Sequence, residues 1–267
     1  MATPCFVANW KMNKTLSEAC DYLAHLQQGL KQEACKALEM ILAPSYVILA
    51  AVAEQIRQLS LPIALAAQNL HHKTGGAYTG EVSGTMLREA GCRYVIIGHS
   101  ERRVYFGETD AIIAEKVAVA RGLGLVPILC VGESAEEREN HKTELVVRRQ
   151  LQVGLELSNS ESASSRSDIN LSDCLIAYEP VWAIGSGKTP TSAEVEQVHC
   201  TMISCMKSAG VLEERMPRLL YGGSVDEKNI ATLMKEPHVD GVLAGGASLA
   251  AERFMTIMEL GRRAKNL

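Results

Sequence analysis

The chain has little aromatic content: Phe, Trp and Tyr together make up 4% of its 267 residues. Its core must therefore be assembled from Val, Ile, Leu, Ala and Met. It also lacks any long run of like charge, and its formal net charge is only −4. That leaves no electrostatic footprint for nucleic acid or an anionic membrane, so an anionic substrate would have to be held by a local site. No apolar run is long enough to span a bilayer. The N-terminus has neither the basic nor the apolar region of a secretory signal. Eight cysteines are present, but none forms a C-x-x-C pair, and no Cys/His set has the short spacing of a zinc site. Reduced, mostly buried thiols in a cytoplasmic protein are expected, with no metal. No G-x-G-x-x-G follows the first strand-like run, so a dinucleotide fold is not expected, nor is any organic cofactor.

What is present is a repeated alternation. Short apolar runs occur at 5–8, 40–43, 63–67, 94–97, 126–131, 175–178, 219–221 and 242–244. They lack strict polar alternation, as expected for strands covered on both faces. Helical stretches lie between them. Thr15 with Glu18 and Thr191 with Glu194 have the spacing of capping boxes. Thr109 is placed to cap a helix that carries Ile113, Val117 and Ala120 and stops at Gly122. Eight strands with interleaved helices, and a last helix over 251–260, predict a single-domain α/β fold, the closed (β/α)8 TIM barrel. The segment 158–170 has six serines and only Ala163 and Ile169 as apolar residues, so it is expected to be a flexible loop entering the sixth strand.

Barrel enzymes place their chemistry where the strands end and the following loops begin. Those positions hold Asn9 and Lys11, Gln68 and Asn69, the run 98–101 with His99 and Glu101, Glu179 before Pro180, and glycine turns at 222–224 and 245–248. The two glycine turns follow strands seven and eight, where backbone N–H groups can approach a phosphate closely. Pro180 keeps the Glu179 backbone extended and so limits where the carboxylate points. Taken singly, each residue has a structural explanation, as a salt-bridged Glu, a hydrogen-bonded His or a solvated Lys. Together, a carboxylate, an imidazole and an ammonium suit proton abstraction beside a carbonyl. The run 185–189 reads Gly-Ser-Gly-Lys-Thr, but a phosphate-binding P-loop would need a glycine where Trp182 stands. A short lid with its tip at 183–187 is the better reading.

The motifs ANWKMN (8–13), GAYTGEVS (76–83), IIGHSERR (96–103), CVGE (130–133), IAYEPVWAIGSGKT (176–189), YGGS (221–224) and GGAS (245–248) resemble those of the triosephosphate isomerase family, in order and over essentially the whole chain. The resemblance implies interconversion of dihydroxyacetone phosphate and D-glyceraldehyde 3-phosphate through an enediol. It implies Glu179 as the base, His99 as the group that polarises the carbonyl, and Lys11 and Asn9 as stabilisers of substrate and intermediate. Glu101 would support Lys11. Backbone N–H groups of Gly185, Ser224, Gly245 and Gly246 would hold the phosphate, and Ile184 and Leu243 would close over Glu179. It also implies a homodimer in which the loop 71–81 places Thr79 near Asn9 and Lys11 of a second subunit. The chain departs from the family pattern at Ser186, Pro190 and Ala244 and in the length of the serine-rich loop; none of these removes a chemical group. Two other readings are another phosphate-binding barrel enzyme acting on a different sugar phosphate and a catalytically silent barrel used as a binding or scaffold protein. The second would have lost Glu179, His99 or Lys11.

Overall fold

Eight short apolar runs do form strands, and they close on one another. The computed structural model describes residues 3–30, 37–157, 169–184 and 188–266. In chain order the strands are β1 (Cys5–Asn9), β2 (Glu39–Ala43), β3 (Ile63–Ala67), β4 (Tyr94–Ile97), β5 (Val126–Val131), β6 (Leu175–Tyr178), β7 (Arg218–Tyr221) and β8 (Gly241–Ala244). Each pairs in parallel with the next, and β8 returns to β1, giving a closed barrel. The expected (β/α)8 architecture is thus what the chain adopts. Four strands match the sequence reading residue for residue, and the other four are one residue longer at an end.

The longer start of β8 has a steric cause. Gly241 pairs with Cys5 across the closing seam. A Cβ at Gly241 would lie 1.8 Å from the Cys5 carbonyl oxygen, so no other residue fits there without moving the seam. Within the strands, side chains alternate between two apolar layers. Cys5, Val7, Tyr94, Ile96, Leu175 and Ala177 belong to the cluster that fills the barrel. Phe6, Ala8, Val95, Ile97, Ile176 and Tyr178 belong to the cluster between strands and helices. Both faces are buried, which is why the sequence shows continuous apolar runs.

Among the described residues ten α-helices surround the barrel: α1 (Leu16–Gly29), α2 (Tyr46–Gln58), α3 (Gly84–Glu89), α4 (Ser100–Phe106), α5 (Asp110–Gly122), α6 (Ala135–Glu139), α7 (Thr143–Gly154), α8 (Ser192–Ser208), α9 (Ile230–Lys235) and α10 (Ala251–Ala264). The capping boxes at Thr15 and Thr191 are formed, and Thr109 caps α5 by accepting from the Ile112 N–H. A third box, Ser134 with Glu137, opens α6. Two connections hold a pair of helices where one was expected. In the first, Gly107 in the left-handed region ends α4 before Thr109 starts α5. In the second, the one-turn α6 precedes α7. The last helix runs to Ala264, beyond the expected 260. Residues 158–168 of the serine-rich segment lie outside the described residues.

Candidate active site

The C-terminal ends of the strands open into a cavity of about 680 Å³. Asn9, Lys11, His99, Glu101, Glu179, Ile184, Ser224, Leu243, Gly245 and Gly246 all line it. Ten of the twelve residues to which the family resemblance gives a role therefore meet around one space. Thr79 does not line it; it is exposed on the loop after β3. Gly185, with Ser186 and Gly187 of the lid tip, lies outside the described residues.

Glu179 follows β6 directly and is 2% exposed. Its backbone is held by the Glu179 N–H donating to the Val131 carbonyl at 2.7 Å. One carboxylate oxygen, Oε2, accepts from the Ser100 N–H at 2.8 Å. The other, Oε1, lies 3.1 Å from Nε2 of His99. That approach does not have hydrogen-bond geometry, and Oε1 is a buried oxygen without a hydrogen-bond partner. A buried, unpaired acceptor costs stability and stands out among native structures. Glycine makes room for it: a Cβ on Gly132 would lie 1.7 Å from the Glu179 carbonyl oxygen, and one on Gly222 would lie 2.7 Å from Glu179 Cγ.

His99 caps α4. Its Nδ1 accepts from the Glu101 N–H at 3.2 Å. An accepting Nδ1 carries no proton, so the neutral ring bears its hydrogen on Nε2, the nitrogen that faces Glu179. The first two amides of α4, from Ser100 and Glu101, thus orient the carboxylate and the imidazole respectively. These N–H groups have no partner within their own helix, and here they are spent on the site.

Lys11 has a positive φ of 52°, a conformation unfavourable for any residue with a Cβ. Its backbone is held from both sides: the Lys11 N–H donates to Asn9 Oδ1 at 3.0 Å, and Gln68 Nε2 donates to the Lys11 carbonyl at 2.8 Å. Gln68 also donates to the Ala43 carbonyl at 2.9 Å, tying β1, β2 and β3 together at this rim. The ammonium reaches Glu101 Oε1 at 2.6 Å. Beside it, a Cβ on Gly245 would sit 3.1 Å from Lys11 Cε, so the glycine turn leaves room for the lysine stem.

The base of the lid is anchored by a residue whose role was not read from the sequence. Glu133 is fully buried. Its carboxylate accepts from the Tyr178 hydroxyl at 3.2 Å and from Trp182 Nε1 at 2.9 Å, and it pairs with Arg138 at 3.4 Å. Burial and this carboxylate push the Tyr178 phenol far above its ordinary range. Arg138 also stacks over the Trp182 ring at 4.2 Å. Val181–Ala183 form a single 3₁₀ turn, and Val181 and Ile184 project to the cavity. Arg253, near the start of α10, is a further lining residue the sequence did not single out; it is paired with Glu227 at 3.0 Å. Its place on a helix face gave no local signal.

Chemically, the cavity offers a buried carboxylate with one free oxygen, an imidazole N–H and an ammonium, beside two glycine turns open enough for a small anionic group. Comparison with known proteins finds relatives that match nearly the whole chain. A family model described as triosephosphate isomerase matches residues 4–261. A triosephosphate isomerase of Nitrosococcus oceani is 44% identical over 97% of this chain and 99% of its own length. One of Endomicrobium trichonymphae is 40% identical over 98% and 100%, and one of Paracidovorax citrulli is 44% identical over 94% and 95%.

Proposed function

The chain belongs to the triosephosphate isomerase family, and we propose that Glu179, His99, Lys11 and Asn9 carry out in it the interconversion of dihydroxyacetone phosphate and D-glyceraldehyde 3-phosphate, a step of glycolysis and gluconeogenesis in the cytoplasm. The observation that carries this reading is the free, buried Oε1 of Glu179 at 3.1 Å from His99 Nε2 on the floor of the cavity. In the reaction Oε1 removes a proton from the carbon next to the carbonyl. The electrons of that C–H bond form the carbon–carbon double bond of the enediol, and the carbonyl oxygen gains negative charge. The His99 Nε2–H donates to that oxygen, and the Lys11 ammonium and the Asn9 amide stabilise the charge as it grows. His99 passes its Nε2 proton to that oxygen and takes one from the hydroxyl on the deprotonated carbon. The C–O bond there becomes the new carbonyl as Glu179 returns its proton to the former carbonyl carbon, so base and imidazole end as they began.

The phosphate is held by the N–H groups of Ser224, Gly245 and Gly246, with Gly185 of the lid. Support comes from their place on the loops after β7 and β8, a common phosphate position in this fold. Lys11 and Arg253 add cationic character but are each already paired with a carboxylate, so backbone donors supply most of the grip. Ile184 and Leu243 shield Glu179 from water.

The active unit is a homodimer. Support comes from apolar side chains left exposed on the loops and helices following β1 to β4: Met12 at 96%, Val47 at 91%, Tyr105 at 76%, with Phe106, Met86 and Tyr78. Large apolar side chains exposed on consecutive βα segments suit an interaction surface. The Tyr78 ring lies tilted against His71 of the same loop, with centroids 4.3 Å apart, and residues 73–81 are exposed, so the loop 71–81 is little packed on its own barrel.

A coupled assay of the purified chain with D-glyceraldehyde 3-phosphate tests the activity, and absence of turnover would overturn it. Sedimentation at micromolar concentration tests the dimer. Thr79→Arg introduces a charge into the contact and is expected to yield mostly monomer with much lower activity. A fully active wild-type monomer would refute the interface.

A further inference from the structure

Away from the catalytic cavity, three side chains of different ligand chemistry meet on the outside of the barrel. Glu196 and Cys200 lie four residues apart on α8 and so share one face of the helix. His238 lies on the loop that enters β8, at the opposite end of the strands from Glu179. His238 Nδ1 is 2.5 Å from Glu196 Oε1. Cys200 Sγ is 3.6 Å from Glu196 Oε1 and 3.6 Å from His238 Nδ1. We propose that Glu196, Cys200 and His238 form a three-ligand site for a borderline-soft divalent cation of the zinc type, with solvent in the fourth position.

Two other arrangements of these groups would have different geometry. In a nucleophilic relay, the thiol meets one imidazole nitrogen and the carboxylate the other. Here both approach Nδ1, so the three donors surround a point instead of forming a line. In a plain hydrogen-bonded staple, the Glu196–His238 pair would suffice, and the thiol would have no reason to contact both. Tetrahedral zinc with ordinary Zn–S and Zn–N bonds separates sulfur from nitrogen by about 3.6 Å, and nitrogen from carboxylate oxygen by about 3.3 Å. The two sulfur distances already match, and only the nitrogen–oxygen pair must open, by less than about 1 Å.

The surroundings hold the donors in place. Glu196 Oε2 accepts from the His238 N–H at 3.2 Å, which turns Oε1 toward Nδ1 and Sγ. The His238 carbonyl is bonded to Nδ1 of the buried His199 at 2.7 Å. Such supporting contacts are what a metal ligand needs to keep its orientation. The neighbouring cation Lys265 is engaged by the Glu236 carbonyl at 3.0 Å. On binding, Sγ and the imidazole Nδ1 that shares its proton with Glu196 Oε1 both give up their protons, the neutral imidazole carries its one hydrogen on Nε2, and the cation takes the three lone pairs. Thiolate and carboxylate balance the two positive charges. The sequence hides this set because His238 lies 38 residues beyond Cys200.

The test uses the full-length enzyme, reduced and treated with chelator, then titrated with Co²⁺ and back-titrated with Zn²⁺. A sulfur-to-cobalt charge-transfer band is expected that saturates at about one equivalent per chain and is bleached by zinc. Zinc should also raise the thermal midpoint. Cys200→Ser should abolish the band and the thermal shift while leaving isomerase turnover unchanged. His238→Ala and Glu196→Gln should each weaken zinc binding about tenfold or more. Cys20→Ser, a control on the half-buried thiol of α1, should leave the band intact. A wild-type protein with no band, or a band that survives Cys200→Ser, would show that the three residues are only a staple and overturn the proposal.

Discussion

The two ends of the barrel are built from the same strands and yet differ in how they treat certain of their polar groups. At the N-terminal end the half-buried charges of Glu39, Arg218 and Asp240 are matched. Glu39, on β2, accepts from the Tyr94 hydroxyl at 2.5 Å and from Arg218 at 2.6 Å, and Arg218 reaches the Thr3 carbonyl at 3.2 Å. Asp240 accepts from the Leu219 N–H at 2.9 Å. At the C-terminal end Glu179 keeps an oxygen unpartnered and Lys11 sits in a strained backbone conformation. The lesson is that the closed end supplies stability on which the open end draws, since buried unpaired groups and strain are tolerated only where the surroundings over-determine them.

The strongest way to break this contrast is at Glu179. Glu179→Gln keeps an acceptor for the Ser100 N–H but has no basic oxygen. Turnover should fall about 10²-fold or more. The thermal midpoint should hold or rise, because an uncompensated carboxylate has been removed from a buried position. Near-normal turnover in a steady-state assay would dismiss Glu179 as the base. A lowered midpoint would mean that the open end contributes to stability after all.

Gly222→Ala asks how finely the carboxylate must be placed. The new Cβ would meet Glu179 Cγ at 2.7 Å and the Tyr178 carbonyl at 3.2 Å, so the side chain has to shift. A displacement of about 1 Å is enough to cost on the order of a hundredfold in rate. We expect kcat to drop about 10- to 100-fold with a much smaller change in KM. An unchanged kcat would show that the glycine serves only the turn.

The reverse effect is expected at the closed end. Glu39→Ala strands the Tyr94 hydroxyl and the Arg218 guanidinium. Stability should fall by about 1–3 kcal/mol, as when any buried hydrogen-bonded partner is removed. Isomerase turnover at 25 °C should be unaffected. Chemical denaturation monitored by circular dichroism measures the first and the coupled assay the second. A loss of turnover without a loss of stability would erase the division of labour between the two ends.

Much of the fold was legible because parallel strands buried on both faces leave continuous apolar runs, and because caps such as Thr15, Thr109 and Thr191 are local. The glycines of β7 and β8 and the carboxylate before Pro180 pointed to the site through their positions at strand ends. What was not legible depends on distance in the chain. That Ser100 and Glu101 spend their amides on Glu179 and His99 follows only once β4 and β6 converge. The clamp of Gln68 on Lys11 joins residues 57 apart. Likewise, nothing local marks Glu133 as the anchor of Trp182, or Arg253 as a lining residue. The short α4 and α6 were missed because a helix of one or two turns leaves too little periodicity to detect.

The smallest effect is expected in the connection between α7 and β6, which carries the serine-rich stretch. Because β6 begins at Leu175, this connection enters the strand from its N-terminal end, and so belongs to the side of the barrel away from Glu179. Residues 158–167 contain one apolar side chain, Ala163, and so offer little to bury. Replacing them with a short Gly-Ser link should leave kcat and KM unchanged. The stability change should be below about 1 kcal/mol, since closure entropy varies only with the logarithm of loop length. Leu157 and Leu171, the buried residues on either side of this stretch, must not be disturbed by the link. If turnover falls sharply while the denaturation curve stays fixed, the serine-rich stretch acts on the catalytic end, and the separation of the two ends fails at this connection.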